Sequence, residues 1–218
     1  MLVLRIKTLV SLKLMASSAL STNSWTASKA SNCSSILISS SSQVKVTEIV
    51  VKKHKRRMYL FSGNEIIKSY KVDLGFAPEG HKKFEGDGKT PVGKHEIVGI
   101  LYRPDRIARP RKWALPIRPY DIWSDDIKDP NYNLMGTLPS LFRHERLFRP
   151  DNLYDLLIIT NWNWPYAVKG RGSAIFIHSW RQKAWPTEGC IALSKNNLFR
   201  VAKFIDFGSR LIIPETLN

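Results

Sequence analysis

From residue 43 onward the chain alternates apolar and polar positions, which is the period of a half-buried strand. "QVKVTEIVVKK" (43–53) is the first such stretch and is rich in β-branched residues. "RRMYLFSGNEIIKSYKVDLG" (56–75) reads as two strands joined at Ser62-Gly63-Asn64, a hairpin turn signal. "GKHEIVGILYRP" (93–104), "LYDLLIITNW" (153–162), "SAIFIHSW" (173–180), "GCIAL" (189–193) and "SRLIIP" (209–214) complete the strand set. One segment changes period. "KNNLFRVAKFIDFG" (195–208) puts Leu198, Val201, Ala202 and Ile205 on one helical face, with Ser194 as N-cap and Gly208 as the stop. Many short strands and one or two short helices predict a mainly β fold, a sandwich or closed sheet.

Two stretches resist this reading. Residues 76–93 are rich in glycine, and residues 103–152 hold seven prolines from Pro104 to Pro150. Connections of such length have a function of their own or conceal short elements. Within the first, "GDGKT" (86–90) invites a phosphate-loop reading. That motif needs a glycine where Lys83 stands and a helix where Pro91 and Gly93 break one. A tight turn ahead of the strand at residue 93 is expected instead.

Residues 1–45 are set apart as a candidate leader and flexible, basic, Ser-rich segment, and residues 46–214 as the domain. Arg5 and Lys7 precede an apolar run, and Ala19 ends a small-x-small site, as in a secretory signal, although Lys13 interrupts the run. A disordered tail, a start at Met15 and a transit peptide stay open as alternatives. No apolar run reaches 18 residues, so no spanning helix is expected.

Net charge is +16, and ten of the 34 Lys and Arg lie in residues 1–57 against one acid, Glu48. Such a balance suits an anionic partner, nucleic acid, a membrane surface or a wall polymer, or a solvated Lys-rich exterior. The two cysteines, Cys33 and Cys190, argue against a disulfide scaffold and, with no C-x-x-C pair, against a cysteine zinc site. A Cys33–Cys190 bridge is conceivable in an oxidising compartment, but Cys33 lies in the Ser-rich stretch. The five histidines include no i, i+4 pair on a helix, so no metal is expected.

His178 and Cys190 stand out because each adjoins an apolar strand and the cysteine lies twelve positions beyond the histidine. A thiol is mostly protonated at neutral pH and needs a base within reach, which two strand ends joined by a short loop supply. Gly189 lets the backbone turn without a Cβ in the substrate's path, Thr187 and Glu188 form the rim, and the Ser179 carbonyl is a candidate to fix the imidazole. The same spacing is compatible with a buried structural cysteine.

"IFIHSW…PTEGCIAL" resembles the signature of the L,D-transpeptidase catalytic domain, also called YkuD: a histidine, a variable loop, then Ser/Thr-x-Gly-Cys and an apolar residue. His178, Thr187, Gly189, Cys190 and Ile191 take those places. The loop is shorter than in the best-known members, and Glu188 stands where many carry histidine. Thr90, Pro91 and Gly93 match the family's Thr-Pro-x-Gly segment, and "DPNYN", "NLYDLLIIT" and "GRGSAIFIH" resemble a bacterial branch with little beyond the catalytic domain.

The resemblance implies a cysteine acyltransferase acting on peptidoglycan stem peptides. Cys190 would form a thioester with loss of D-alanine, and a diaminopimelate amine would resolve it into a 3→3 cross-link. His178 would be base and acid, Ser179 its orienter, and the N–H groups of Gly189 and Cys190 the oxyanion donors. Thr187, Glu188, Arg171 and Ser173 would shape the pocket. No cofactor is implied. A role in cell-wall biogenesis and cell shape, a periplasmic or envelope location, and a monomer without nucleic acid are expected. The alternatives are a carboxypeptidase or endopeptidase of the same bonds, or a non-catalytic basic module using Trp162 and Trp164 on wall polymer or nucleic acid.

Overall fold

The computed structural model describes residues 45–215 apart from residue 78. Cys33, Met15 and the candidate leader lie outside the described residues.

The first hairpins form as their patterns dictate. Strand β1 (Glu48–Lys52) buries Ile49 and Val51 and turns its alternate residues outward. It pairs antiparallel with β2 (Arg57–Ser62), which turns at Gly63, with φ +58°, into β3 (Glu65–Lys71). Strand β4 (Gly93–Tyr102) is the longest, and β9 (Leu156–Thr160), β10 (Phe176–Ser179) and β11 (Ile191–Leu193) are buried at every position. Strand β12 (Arg210–Ile213) inserts between β4 and β1. The spatial order is β11-β10-β9-β4-β12-β1-β2-β3, with the two-residue β5 (Leu115–Pro116) added to β4.

This sheet closes on itself. Beyond β3, Asp73 pairs with Ala192 of β11 through two backbone hydrogen bonds of 2.8 Å, joining the ends of the order. Ile49, Met58, Leu60, Ile97, Ile158, Ile177 and Leu211 fill the interior. Each such aliphatic side chain contributes about 1.5–3 kcal/mol on leaving water.

The helix, α1 (Lys195–Phe204), covers this interior with Leu198, Val201 and Ala202, and Ser194 caps it by accepting the Asn197 N–H. Gly208 does not stop it. The helix ends at Phe204, and Ile205 is already extended, its side chain buried in the core. Gly208, at φ +79°, serves the turn into β12.

The proline-rich stretch conceals a second sheet of three short strands, β7 (Met135–Thr137), β6 (Asp121–Ser124) and β8 (His144–Arg146), in that order. Its buried Trp123 meets Phe176 of β10 edge to face, with ring centroids 4.9 Å apart. Among the described residues no helix is long and apolar enough to cross a membrane.

Candidate active site

Strands β10 and β11 lie side by side and parallel, with His178 registered on Ala192. Cys190 stands two residues before Ala192. Residues two apart on a strand share a face, as do lateral partners, so these three side chains point the same way. All three line one cleft of about 1220 Å³.

The approach to Cys190 is fixed by glycines. Gly189 has φ +136°, and a Cβ there would stand 2.7 Å from the Lys89 carbonyl oxygen. Gly75 is packed as closely: a Cβ on it would be 2.0 Å from the Gly88 carbonyl oxygen and 3.1 Å from the Gly189 Cα. Thr90, fully buried, holds this contact by accepting the Gly75 N–H at 2.9 Å. The Thr187 hydroxyl braces the turn, donating to the Cys190 carbonyl at 2.7 Å and accepting from the Gly189 N–H at 3.2 Å. The Gly189 N–H is therefore engaged within the turn. An oxyanion would compete with Thr187 for this N–H.

The "GDGKT" segment is the turn expected before β4. Its hub is Asp87, which accepts the N–H groups of Lys83, Phe84 and Lys89 and pairs with the Lys82 ammonium at 2.7 Å. Burial opposes the Asp87 charge, but the ammonium and the three N–H groups outweigh it and hold the carboxyl at about 2.

The Cys190 thiol donates to the Ala174 carbonyl at 3.0 Å and accepts the Phe176 N–H at 3.3 Å. It is a free cysteine. His178 Nδ1 lies 2.7 Å from the Ser179 carbonyl oxygen. A carbonyl only accepts, so Nδ1 carries the proton and Nε2 keeps its lone pair. The Tyr154 ring stands edge-on to the imidazole at 5.5 Å, and the Tyr154 hydroxyl donates to the Glu145 carboxylate.

Burial decides the charge state. It lowers the His178 imidazole to about 4 against the partial help of the Ser179 carbonyl, and it pushes the Cys190 thiol up to about 12 against the Phe176 N–H. The resting pair is a neutral thiol and a neutral imidazole.

Between pH 6.5 and 4 the unfolded histidine takes up a proton that the folded one resists, so stability falls as pH falls through that window. Above pH 9 the unfolded cysteine ionises while the folded thiol resists up to about 12, so stability falls again as pH rises. Urea unfolding should show a plateau between the two limbs. His178→Gln should remove about 3 kcal/mol of the acid limb. An acid limb identical in the variant would mean that the imidazole is not held neutral.

A family model described as the L,D-transpeptidase catalytic domain, YkuD, matches residues 46–213. The chain belongs to this family. No curated protein matches it. Among solved structures, this L,D-transpeptidase-family chain is similar to Bd1075 of Bdellovibrio bacteriovorus, with 17% identity, 80% of this chain and 50% of that one covered, and a TM-score of 0.44. The helical cell shape determining protein Pgp2 from Campylobacter jejuni gives 23% identity over 78% of this chain and 48% of that one, at TM-score 0.38. L,D-transpeptidase 1 of Mycobacterium tuberculosis gives 11% identity over 76% and 57%, at TM-score 0.37. The YkuD chain thus spans about half the length of these proteins.

The structure brings most residues of the sequence reading to one place. Ser173, Thr187 and Glu188 line the cleft with the cysteine and histidine. Ser173 donates to Glu85 at 2.7 Å, and Glu188 is exposed at the rim. Arg171 is not among the lining residues. Its guanidinium lies 5.0 Å over the Trp162 ring. Trp162 is only 6% exposed, packed edge-on by His81 and His95, so it is not offered to bases. Glu85, Glu145, Arg146, Arg149 and Tyr154 also line the cleft and escaped the sequence reading.

Proposed function

We propose that this chain is a cysteine acyltransferase of peptidoglycan stem peptides. The observation that carries this reading is the Nδ1 contact with the Ser179 carbonyl, which leaves the Nε2 lone pair free to take a proton, on a strand beside the one that follows Cys190.

A stem tetrapeptide enters the cleft with its scissile carbonyl over Cys190. The sulfur attacks the carbonyl carbon and its proton passes to His178 Nε2. This proton transfer waits for substrate, because the resting pair is neutral. Negative charge develops on the carbonyl oxygen, and the backbone N–H groups of the Gly189–Cys190 turn are the proposed donors to it. The C–N bond breaks, D-alanine leaves with the proton from His178, and a thioester remains. The side-chain amine of a second stem attacks the thioester and gives its proton to Nε2, and the thiolate leaves and is reprotonated. The product is the 3→3 cross-link. Water in place of the amine gives a shortened stem, which is carboxypeptidase chemistry at the same sulfur. A substrate held in the wall places the reaction in the cell envelope, and the basic surface suits an anionic wall.

Purified disaccharide tetrapeptide incubated with the protein tests this. Mass spectrometry is expected to show cross-linked dimers and released D-alanine. Shortened stems alone would replace transfer by hydrolysis. An unchanged substrate would remove the reading.

A further inference from the structure

The cleft rim carries six arginines, and they are not equivalent. Four have partners within the fold. Arg103 pairs with Asp105 at 2.7 Å, Arg106 with Asp155 at 3.0 Å, Arg143 with Asp125 at 3.2 Å and Arg149 with Asp151 at 2.6 Å. Arg146, on β8, and Arg181, just past β10, line the same cleft and are exposed. Arg146 pairs with Ile122 through its backbone, but among the described residues neither guanidinium makes a hydrogen bond or an ion pair. Arg181 feels Asp151 only through space, and that carboxylate is already bonded to Arg149.

The carboxylates in the cleft are disposed differently. Glu145 accepts the Tyr154 hydroxyl, Glu85 accepts Tyr132 and Ser173, and Asp125 takes Arg143. Glu188 alone among them is exposed and unbonded, beside the nucleophile. The groups left open to a ligand are therefore two guanidinium forks against one carboxylate. A guanidinium presents paired N–H donors that match a carboxylate in a plane.

We infer that Arg146 and Arg181 recognise free carboxylates of the donor stem and make the enzyme selective for unamidated stems. The choice of ligand rests on the function proposed above. A stem tetrapeptide carries carboxylates on the glutamate, the diaminopimelate side chain and the terminal D-alanine, and the first two are those that amidation removes. Arg103 and Arg106 bond the carbonyls of Arg149, Pro150 and Asp151, and Arg143 that of Asp125, so these guanidiniums are spent within the fold.

The test uses two synthetic tetrapeptides, one with free glutamate and diaminopimelate carboxylates and one with both amidated. Binding is measured by calorimetry to Cys190→Ala protein, with and without Arg146→Gln and Arg181→Gln. The free-acid peptide is expected to bind about 10-fold more tightly than the diamide, and the double arginine substitution to bring that ratio near one. The ratio should also shrink with added salt, as exposed charges require. Equal binding of the two peptides, or a ratio that survives both substitutions in a protein with unchanged melting temperature, overturns the inference. Selective binding combined with no dimers and no shortened stems from the Cys190 protein would overturn the transferase reading and leave the carboxylate site standing. Binding of neither peptide overturns both.

Discussion

Cys190→Ala protein should leave an incubation with a carbapenem at its unmodified mass, while the Cys190 protein gains one acyl adduct. The carbapenem carbonyl is a strained electrophile that takes the place of the stem carbonyl, so the adduct reads the nucleophile without an acceptor. His178→Ala should keep the site of labelling but slow it by about two to four orders of magnitude, the range for loss of a general base. The structure makes that dependence strong. With the thiol pushed up to about 12, almost none of it is thiolate at neutral pH, so attack depends on a base that takes the proton during the reaction. Equal labelling of the Cys190 protein and its Cys190→Ala variant would put the nucleophile elsewhere. Equal rates with and without the imidazole would end the role of His178. Turnover of tetrapeptide should follow the same order.

The second large effect concerns stability. Lys82 and Asp87 form an ion pair whose side chains are 1% and 3% exposed. Room for the lysine is made by Gly172, at φ +109°, where a Cβ would stand 2.2 Å from Lys82 Cε. Asp87→Ala leaves the ammonium buried without its partner and frees the three N–H groups that the carboxylate gathers. Removing one partner of a buried pair costs about 3–5 kcal/mol. The urea midpoint should fall accordingly, and Lys82→Met combined with Asp87→Asn should recover part of the loss, since no lone charge then remains buried. A loss below about 1 kcal/mol would mean that the pair is solvated. The same change should reach Cys190, because Asp87 fixes Lys89, whose carbonyl packs on Gly189.

The cysteine and histidine that meet in the cleft were legible in the sequence because the strands that hold them announce themselves. "IFIH" and "CIAL" are apolar runs on both sides of a short loop, and Gly189 marks the backbone conformation that the loop needs. The hairpin at Gly63 and the helix after Ser194 were legible for similar local reasons. The wall of the cleft facing them was not. Glu145 and Arg146 lie on a three-residue strand between prolines, and a strand that short has no period to read. Tyr154 looks like any aromatic residue before a buried strand until its hydroxyl is seen on Glu145. Asp87 gave only a turn signal, because its ammonium partner is a lysine like many others in a basic chain. The engagement of the Gly189 N–H by Thr187 depends on how the turn folds back, and spacing does not encode that.

The bond pair between Asp73 and Ala192 gives the molecule a seam. Without it, the three residues after Cys190 would form the outermost ribbon of an open sheet, the place where a β protein frays first and where a foreign chain adds on. With it, the hoop is complete and the sulfur is carried by a stave held on both sides. Fraying at this point has to break the two bonds of that seam as well as the ladder to β10, so the segment after Cys190 is tethered on two sides.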